Sequence, residues 1–182
     1  MLIFKLISAL LDYPTDDLLA ELRRENDRAG GPLALVQAID ERMVLGAEDH
    51  AAIAYVVNYL LGNESTVVQA NYVQTFDLTP EHSLHLTHHI FGEEKTRGPA
   101  LIDLTEYLKG YGFTHDEKEL PDFLPLMLEF TSELSVDEAR VFLGDAGKVL
   151  GVLAGNLDKA GSPYARLASV LNKFGSLVKL AA

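Results

Sequence analysis

The sequence predicts an all-α fold, a single-domain helical bundle of about eight or nine helices covering residues 1–182. Three observations carry that reading. Apolar residues recur at helical spacing along nearly the whole chain, with no credible alternating strand series. Gly, Pro and Asp sit between the periodic stretches, and two C-terminal stretches open on residues suited to capping. With 182 residues, 48% of them hydrophobic, the folded chain buries roughly 70% of the surface its unfolded form exposes, so its core needs no metal or cross-link.

The apolar start Leu2 to Leu11, broken only by Lys5, ends at Asp12 and lacks an Ala-x-Ala-like cleavage site; it reads as a first core helix and not as a signal peptide. Leu18, Leu19 and Leu22 follow the capping residue Thr15. Leu33, Val36, Ile39, Met43 and Val44 follow Gly30-Gly31-Pro32, and Ile53, Val56, Val57, Leu60 and Leu61 end at Gly62. Further helices are predicted over Glu64–Phe76, Glu81–Phe91, Pro99–Tyr111, Asp122–Leu134, Val136–Leu157 and Pro163–Leu180. Ser135 with Glu138 has the form of a capping box, and Ser162 before Pro163 pairs a cap with the residue best tolerated at the first helical position. Gly144, Gly147, Gly151 and Gly155 fall on one face of the predicted 136–157 helix, which implies close approach of a second helix to offset the low helix preference of glycine.

Composition removes several functions. The chain has 15 Lys and Arg against 27 Asp and Glu, a net charge of −12, which argues against nucleic acid as the main partner. The charge is uneven: from Arg140 onward it is +4, so the preceding part is −16, a surface able to attract a basic peptide, although on charge alone an acidic surface more often serves only to keep a protein soluble. The absence of cysteine excludes thiolate zinc sites, iron–sulfur ligation and cysteine nucleophiles. No window reaches the roughly 18 uncharged apolar residues of a membrane span, so a cytoplasmic protein without stable membrane insertion is expected. No serine lies in a nucleophile elbow, no glycine-rich loop follows a strand, and the carboxylates are dispersed, so no catalytic residue is assigned and no enzyme is expected.

Four of the six histidines lie between His82 and His89. On the predicted helix, His82, His85 and His89 share a face at i, i+3 and i+7, a spacing that could bind zinc, nickel or copper. The competing readings are histidines satisfied by neighbouring carboxylates or water, and a pH-sensitive contact. No metal or other cofactor is assigned on this basis.

The most informative stretch is Tyr72 to Phe130. It contains Tyr72-Val-Gln-Thr-Phe76-Asp77, His89-Ile-Phe91-Gly92-Glu93, Arg97-Gly98-Pro99-Ala100, and Glu119-Leu-Pro121-Asp122-Phe-Leu-Pro125-Leu126-Met-Leu-Glu129-Phe130. These four blocks, in this order, resemble the NarJ-type nitrate reductase assembly chaperones, the delta-subunit family within the TorD-like group. The Leu-Leu-Asp-Tyr-Pro at 10–14 is similar to that family's opening motif, whereas Phe91 stands where some members carry a second histidine.

The resemblance implies a TorD/NarJ-like cytoplasmic chaperone that catalyses nothing. It would bind the apo catalytic subunit of a molybdenum enzyme through an N-terminal segment and hold it ready for molybdenum cofactor and iron–sulfur insertion before membrane docking. Cofactor-insertion proteins are further expected partners. The client-binding candidates are Tyr72, Phe76, His89, Phe91, Glu93, Arg97, Asp103, Glu119, Asp122, Leu126, Glu129, Phe130 and Glu133, with Gly92, Gly98, Pro121 and Pro125 as shaping residues. Core packing is the competing reading for the aromatic members, and pairing with Glu93 or Glu94 for Arg97. If residues 122–133 form one helix, Asp122, Glu129 and Glu133 make an acidic stripe beside Leu126, suited to a basic amphipathic segment laid into a groove. If Pro125 instead opens the helix, Asp122 becomes a candidate cap. The two alternatives are a metal or cofactor carrier built on the histidine face, and an acidic helical adaptor for another molybdoenzyme client.

Overall fold

The computed structural model describes residues 1–92, 96–114 and 119–176. Among these, eleven α-helices, one π-helical turn, one 3₁₀ turn and a single isolated antiparallel bridge, His85 with Phe123, make up the regular structure, so the all-α prediction holds. Helix α1 (Leu2–Leu11) buries Ile3, Phe4, Ile7, Leu10 and Leu11, and its main neighbour is α8 (Leu124–Glu133). Ser8 is buried at that contact because its hydroxyl donates to the Pro125 carbonyl at 2.8 Å, satisfying a polar group inside the core.

Helix α2 (Asp16–Ala29) starts where Thr15 Oγ1 accepts from the Leu18 amide at 3.2 Å, and stops at Gly30, whose φ of 89° closes the left-handed cap. Pro32 opens α3 (Pro32–Ile39), which ends earlier than the apolar spacing predicts. The buried Asp40 carboxylate competes for the chain there: it accepts from the Val44 and Leu45 amides at 3.0 Å each and pairs with His50 Nε2 at 2.8 Å. Met43 consequently lies outside any helix, with φ 50° and its side chain in solvent. Helix α4 (Ala47–Gly62) follows, then α5 (Ser65–Tyr72), which widens into a π-helical turn over Val73–Asp77.

The predicted 81–91 helix does not form. A 3₁₀ turn at Pro80–His82 leads into an extended stretch, and only His88–Phe91 is helical (α6). The reason is tertiary: the Leu86 amide donates to the Asp122 carbonyl at 3.0 Å and the Leu124 amide to the Leu84 carbonyl at 2.8 Å, which pulls 84–86 straight against 122–124. Helix α7 (Arg97–Gly110) comes next; its Gly98 lies in the first helical turn and makes no bend. The Phe123 amide donates to the Leu120 carbonyl, so Pro121 does shape a turn, and Pro125 stands in the first turn of α8.

Asp122 is the point at which these segments are tied. Its carboxylate is 0% exposed. Oδ1 faces His85 Nδ1 at 3.2 Å, while Oδ2 accepts from the Thr87 amide at 3.1 Å, from the Thr87 hydroxyl and from Arg97 Nη2 at 3.4 Å. Arg97 Nε donates in turn to Thr87 Oγ1 at 2.9 Å, so α7 is pinned by its first residue. Asp122 is therefore neither a helix cap nor a free carboxylate on an acidic stripe; Phe123 precedes α8 instead.

The C-terminal third is a three-helix unit of α9 (Val136–Asp145), α10 (Gly147–Lys159) and α11 (Ala165–Ser176), in which α11 packs on both others. The Ser135–Glu138 capping box forms, with Ser135 N to Glu138 Oε2 at 3.0 Å and Glu138 N to Ser135 Oγ at 3.3 Å. Ser162 does not cap as predicted: its hydroxyl is buried without a hydrogen-bond partner, and α11 begins only at Ala165. The predicted 136–157 helix breaks at Ala146, between two glycines of low helix preference. Glycine is required where α9 crosses α11, since a Cβ on Gly175 would lie 2.6 Å from the Leu143 carbonyl carbon, and one on Gly144 would lie 3.0 Å from the Gly175 carbonyl oxygen. A Cβ at Gly147 or Gly151 would make only ordinary contact with Asn172, and Gly155 faces open space, so the four glycines do not act as one stripe.

Gly175→Ala forces backbone to move and should cost about 1–3 kcal/mol, whereas Gly155→Ala should add about 0.5–1 kcal/mol, both read by chemical denaturation. Burial by itself would raise the Asp122 carboxyl, but the hydrogen bonds and charge of His85 and the bonds from Thr87 outweigh it and hold the group at about 2, below its ordinary 3.8. A depressed carboxyl stabilises the fold above the unfolded value and loses that contribution as pH falls through the folded one. Asp122→Asn should therefore lower stability by about 2 kcal/mol at pH 7, with the gap to wild type narrowing between about pH 4 and pH 2 in urea titrations.

Candidate functional site

A cleft of about 510 Å³ lies along the groove between α1 and α8. Packing explains its position. Ile3, Phe4 and Ile7 face the core, so Lys5 and Ala9 are left on the outer side of α1. On α8, Leu128 and Phe130 point inward and leave Glu129 and Glu133, one turn apart, facing out beside them. The far walls come from Asp12, Tyr13 and Leu18 after α1, and from Phe113 after α7.

The walls are buttressed from behind by two of the predicted client-binding aromatics. The Tyr72 ring meets Tyr13 edge-on at 5.5 Å, and its hydroxyl donates to the Leu11 carbonyl at 3.1 Å; burial pushes that phenol well above its ordinary range. Phe130 meets Phe113 edge-on at 5.4 Å. Such edge contacts contribute about 0.5–1.5 kcal/mol beyond the area buried, enough to hold an otherwise exposed aromatic wall in one orientation.

The cleft is acidic with one cation on its lining. Asp12, Glu129 and Glu133 bring three carboxylates and Lys5 one ammonium. Lys5 Nζ lies 2.9 Å from Glu133 Oε1, and that hydrogen bond and charge hold the Glu133 carboxyl below the usual range. Among the described residues Glu129 has no cationic partner. A second hollow of similar volume, between α4 and α11, differs in kind: Lys173 bonds Asp49 at 2.8 Å and Arg166 stacks over Tyr55 at 4.0 Å, so its cations are already engaged inside the protein.

Of the residues assigned from sequence, Glu129 and Glu133 line the α1–α8 cleft. Tyr72, Phe76, Leu126 and Phe130 are buried, as is Asp122, and they can act on a ligand only by supporting the walls. Arg97 turns to Asp122 and Thr87, so the predicted pairing with Glu93 or Glu94 is not the contact the structure gives it. His89 is half-buried and donates from Nε2 to the Ser83 carbonyl at 2.7 Å; Phe91 is partly buried in α6, and Gly92 turns the chain with φ 54°. Asp103 and Glu119 are exposed and lie outside the cleft. Glu93 falls outside the described residues.

The histidine face does not exist as predicted. His82 bonds the Thr75 carbonyl, His85 the Asp122 carboxylate and His89 the Ser83 carbonyl, each pointing to a different partner. No group of three or more His, Asp or Glu is placed to hold a metal ion among the described residues. Lys5, Asp12, Tyr13 and Phe113 are among the wall residues that sequence reasoning passed over as ligand contacts. The available signal was the Leu-Leu-Asp-Tyr-Pro motif, whose Asp12 and Tyr13 both reach the cleft.

Comparison with known proteins bears on the same architecture. Residues 44–168 match the family model described as nitrate reductase delta subunit. The chain is 32% identical over 171 residues to the nitrate reductase molybdenum cofactor assembly chaperone NarJ of Escherichia coli K12, covering 94% of this chain and 68% of that one. It is 32% identical over 168 residues to the probable NarJ of Bacillus subtilis 168, covering 92% and 85%, and 32% identical over 177 residues to the probable chaperone NarW of E. coli K12, covering 97% and 69%. With the family model spanning most of the chain and NarJ proteins aligned along nearly all of it, the chain belongs to the nitrate reductase delta subunit family, the NarJ-type assembly chaperones.

Proposed function

We propose that this protein is the system-specific chaperone of a respiratory nitrate reductase, holding the apo catalytic subunit by its N-terminal segment in the α1–α8 cleft until the molybdenum cofactor and iron–sulfur cluster are in place. The chain is not an enzyme; its relatives are named as cofactor assembly chaperones. The observation that carries the reading is the cleft itself, apolar along Ala9, Tyr13, Leu18 and Phe113 and acidic at Asp12, Glu129 and Glu133. That combination fits an amphipathic client helix with cations along one edge of its apolar face.

The two parts of the surface do different work. Carboxylates steer a basic segment toward the groove, with a reach of about 8 Å at physiological salt, and so act mainly on the rate of encounter. Apolar contact with the aromatic walls then sets how long the client stays. A cleft open to solvent on one side gives a reversible hold, which suits a partner that must be released. The client is captured in the cytoplasm before it docks at the membrane, and no helix among the described residues is long and apolar enough to cross one.

Titration calorimetry with the N-terminal peptide of a nitrate reductase catalytic subunit tests this directly. Wild type should bind with an affinity that falls as salt rises. Charge reversal at both Glu129 and Glu133 to lysine should weaken binding about ten-fold or more and flatten the salt dependence, while the helical circular dichroism stays unchanged. Equal affinity in wild type and variant would place the client elsewhere; loss of helical signal would assign these residues to structure.

A further inference from the structure

Helix α1 carries a single charged residue, Lys5, among ten that are otherwise apolar or small. No buried carboxylate requires it, because its partner Glu133 is as exposed as it is, with 54% of the Lys5 side chain and 61% of the Glu133 side chain open to solvent. It lines the same cleft as Asp12, Glu129 and Glu133, and its ammonium sits 2.9 Å from Glu133. The N-terminal amine, held by the Ser132 carbonyl, adds a second positive charge near this end of α8.

We propose that Lys5 is a built-in competitor for the client's cation, occupying Glu133 in the free protein and yielding it to an arginine of the bound segment. This rests on the cleft reading above and adds a specificity rule to it. An exposed lysine–carboxylate pair is weak and easily exchanged. A guanidinium offers two parallel N–H groups to one carboxylate and is less strongly hydrated than an ammonium, so it displaces Lys5, whereas a client lysine meets Lys5 as an equal. The displaced Lys5 then swings on its four-carbon stem into solvent, and the cost of breaking its pair with Glu133 is subtracted from the client's affinity, which favours later release. Glu129, one turn away and without a cation among the described residues, is the site where either client cation binds without competition.

The experiment measures fluorescence anisotropy of a labelled N-terminal peptide of a nitrate reductase catalytic subunit, in one form bearing only arginine and in another only lysine as its cations. The proteins are wild type, Lys5→Met (which keeps the apolar stem), Glu133→Gln and the double variant, with Glu129→Lys as the control for cleft occupancy. Lys5→Met should tighten binding by up to about five-fold, more for the lysine form than for the arginine form, and should do nothing in the Glu133→Gln background. Weaker or unchanged binding by Lys5→Met, or the same gain with Glu133 already neutral, overturns the inference. If Glu129→Lys weakens capture while Lys5→Met leaves it unchanged, only the competitor role falls. If wild type does not bind, or Glu129→Lys binds as wild type does, the cleft reading falls first.

Discussion

A single carboxylate with no solvent exposure organises the middle of this molecule. Asp122 accepts from His85, from both donors of Thr87 and from Arg97, and its backbone carbonyl takes the Leu86 amide as well. A buried charge is tolerable only when paired and hydrogen-bonded, and once paired it becomes costly to disturb. The consequence is geometric. Residues 84–87, the first residue of α7 and the approach to α8 are held in one mutual arrangement, and α8 delivers Glu129 and Glu133 to the cleft from that anchored start.

Residues that look like ligand contacts because they are unusual mostly turn out to hold the scaffold together. The blocks spanning Tyr72 to Phe130 meet through a chain of bonds: His82 to the Thr75 carbonyl, His89 to the Ser83 carbonyl, and Arg97 to Asp122. Tyr72 and Phe130 stand one layer behind the cleft and orient Tyr13 and Phe113. The α1–α8 cleft is lined by less distinctive residues, among them a lysine and a tyrosine near the N-terminus, a phenylalanine after α7, and two glutamates on the outer face of a core helix. This division separates a buried, hydrogen-bonded framework from a cleft lining that stays exposed.

The acidic character of the chain is put to use unevenly. The negative charge lies before Arg140, and so do all three cleft carboxylates. The C-terminal helices contribute packing, with α11 close enough to α9 that only glycine fits at Gly175. Their hollow against α4 has its cations engaged by Asp49 and Tyr55, which leaves the α1–α8 groove as the more open electrostatic site.

What could be read from the sequence was local in origin. Helical periodicity, the Thr15 cap, the Gly30 stop and the Ser135–Glu138 box all operate between residues within about one turn of each other, and each appears in the structure. The four blocks from Tyr72 to Phe130 also sufficed to indicate the family. Two readings that failed depended on more distant partners: 81–91 is straightened by the strand-like contact with 122–124, and α3 is cut short by an aspartate that also reaches His50. The cleft belongs to this second group, for Lys5 and Glu133 lie far apart in the sequence and meet only because α1 packs on α8. Side-chain periodicity decides which residues face outward from a helix; which outward faces confront one another is decided by how the helices pack.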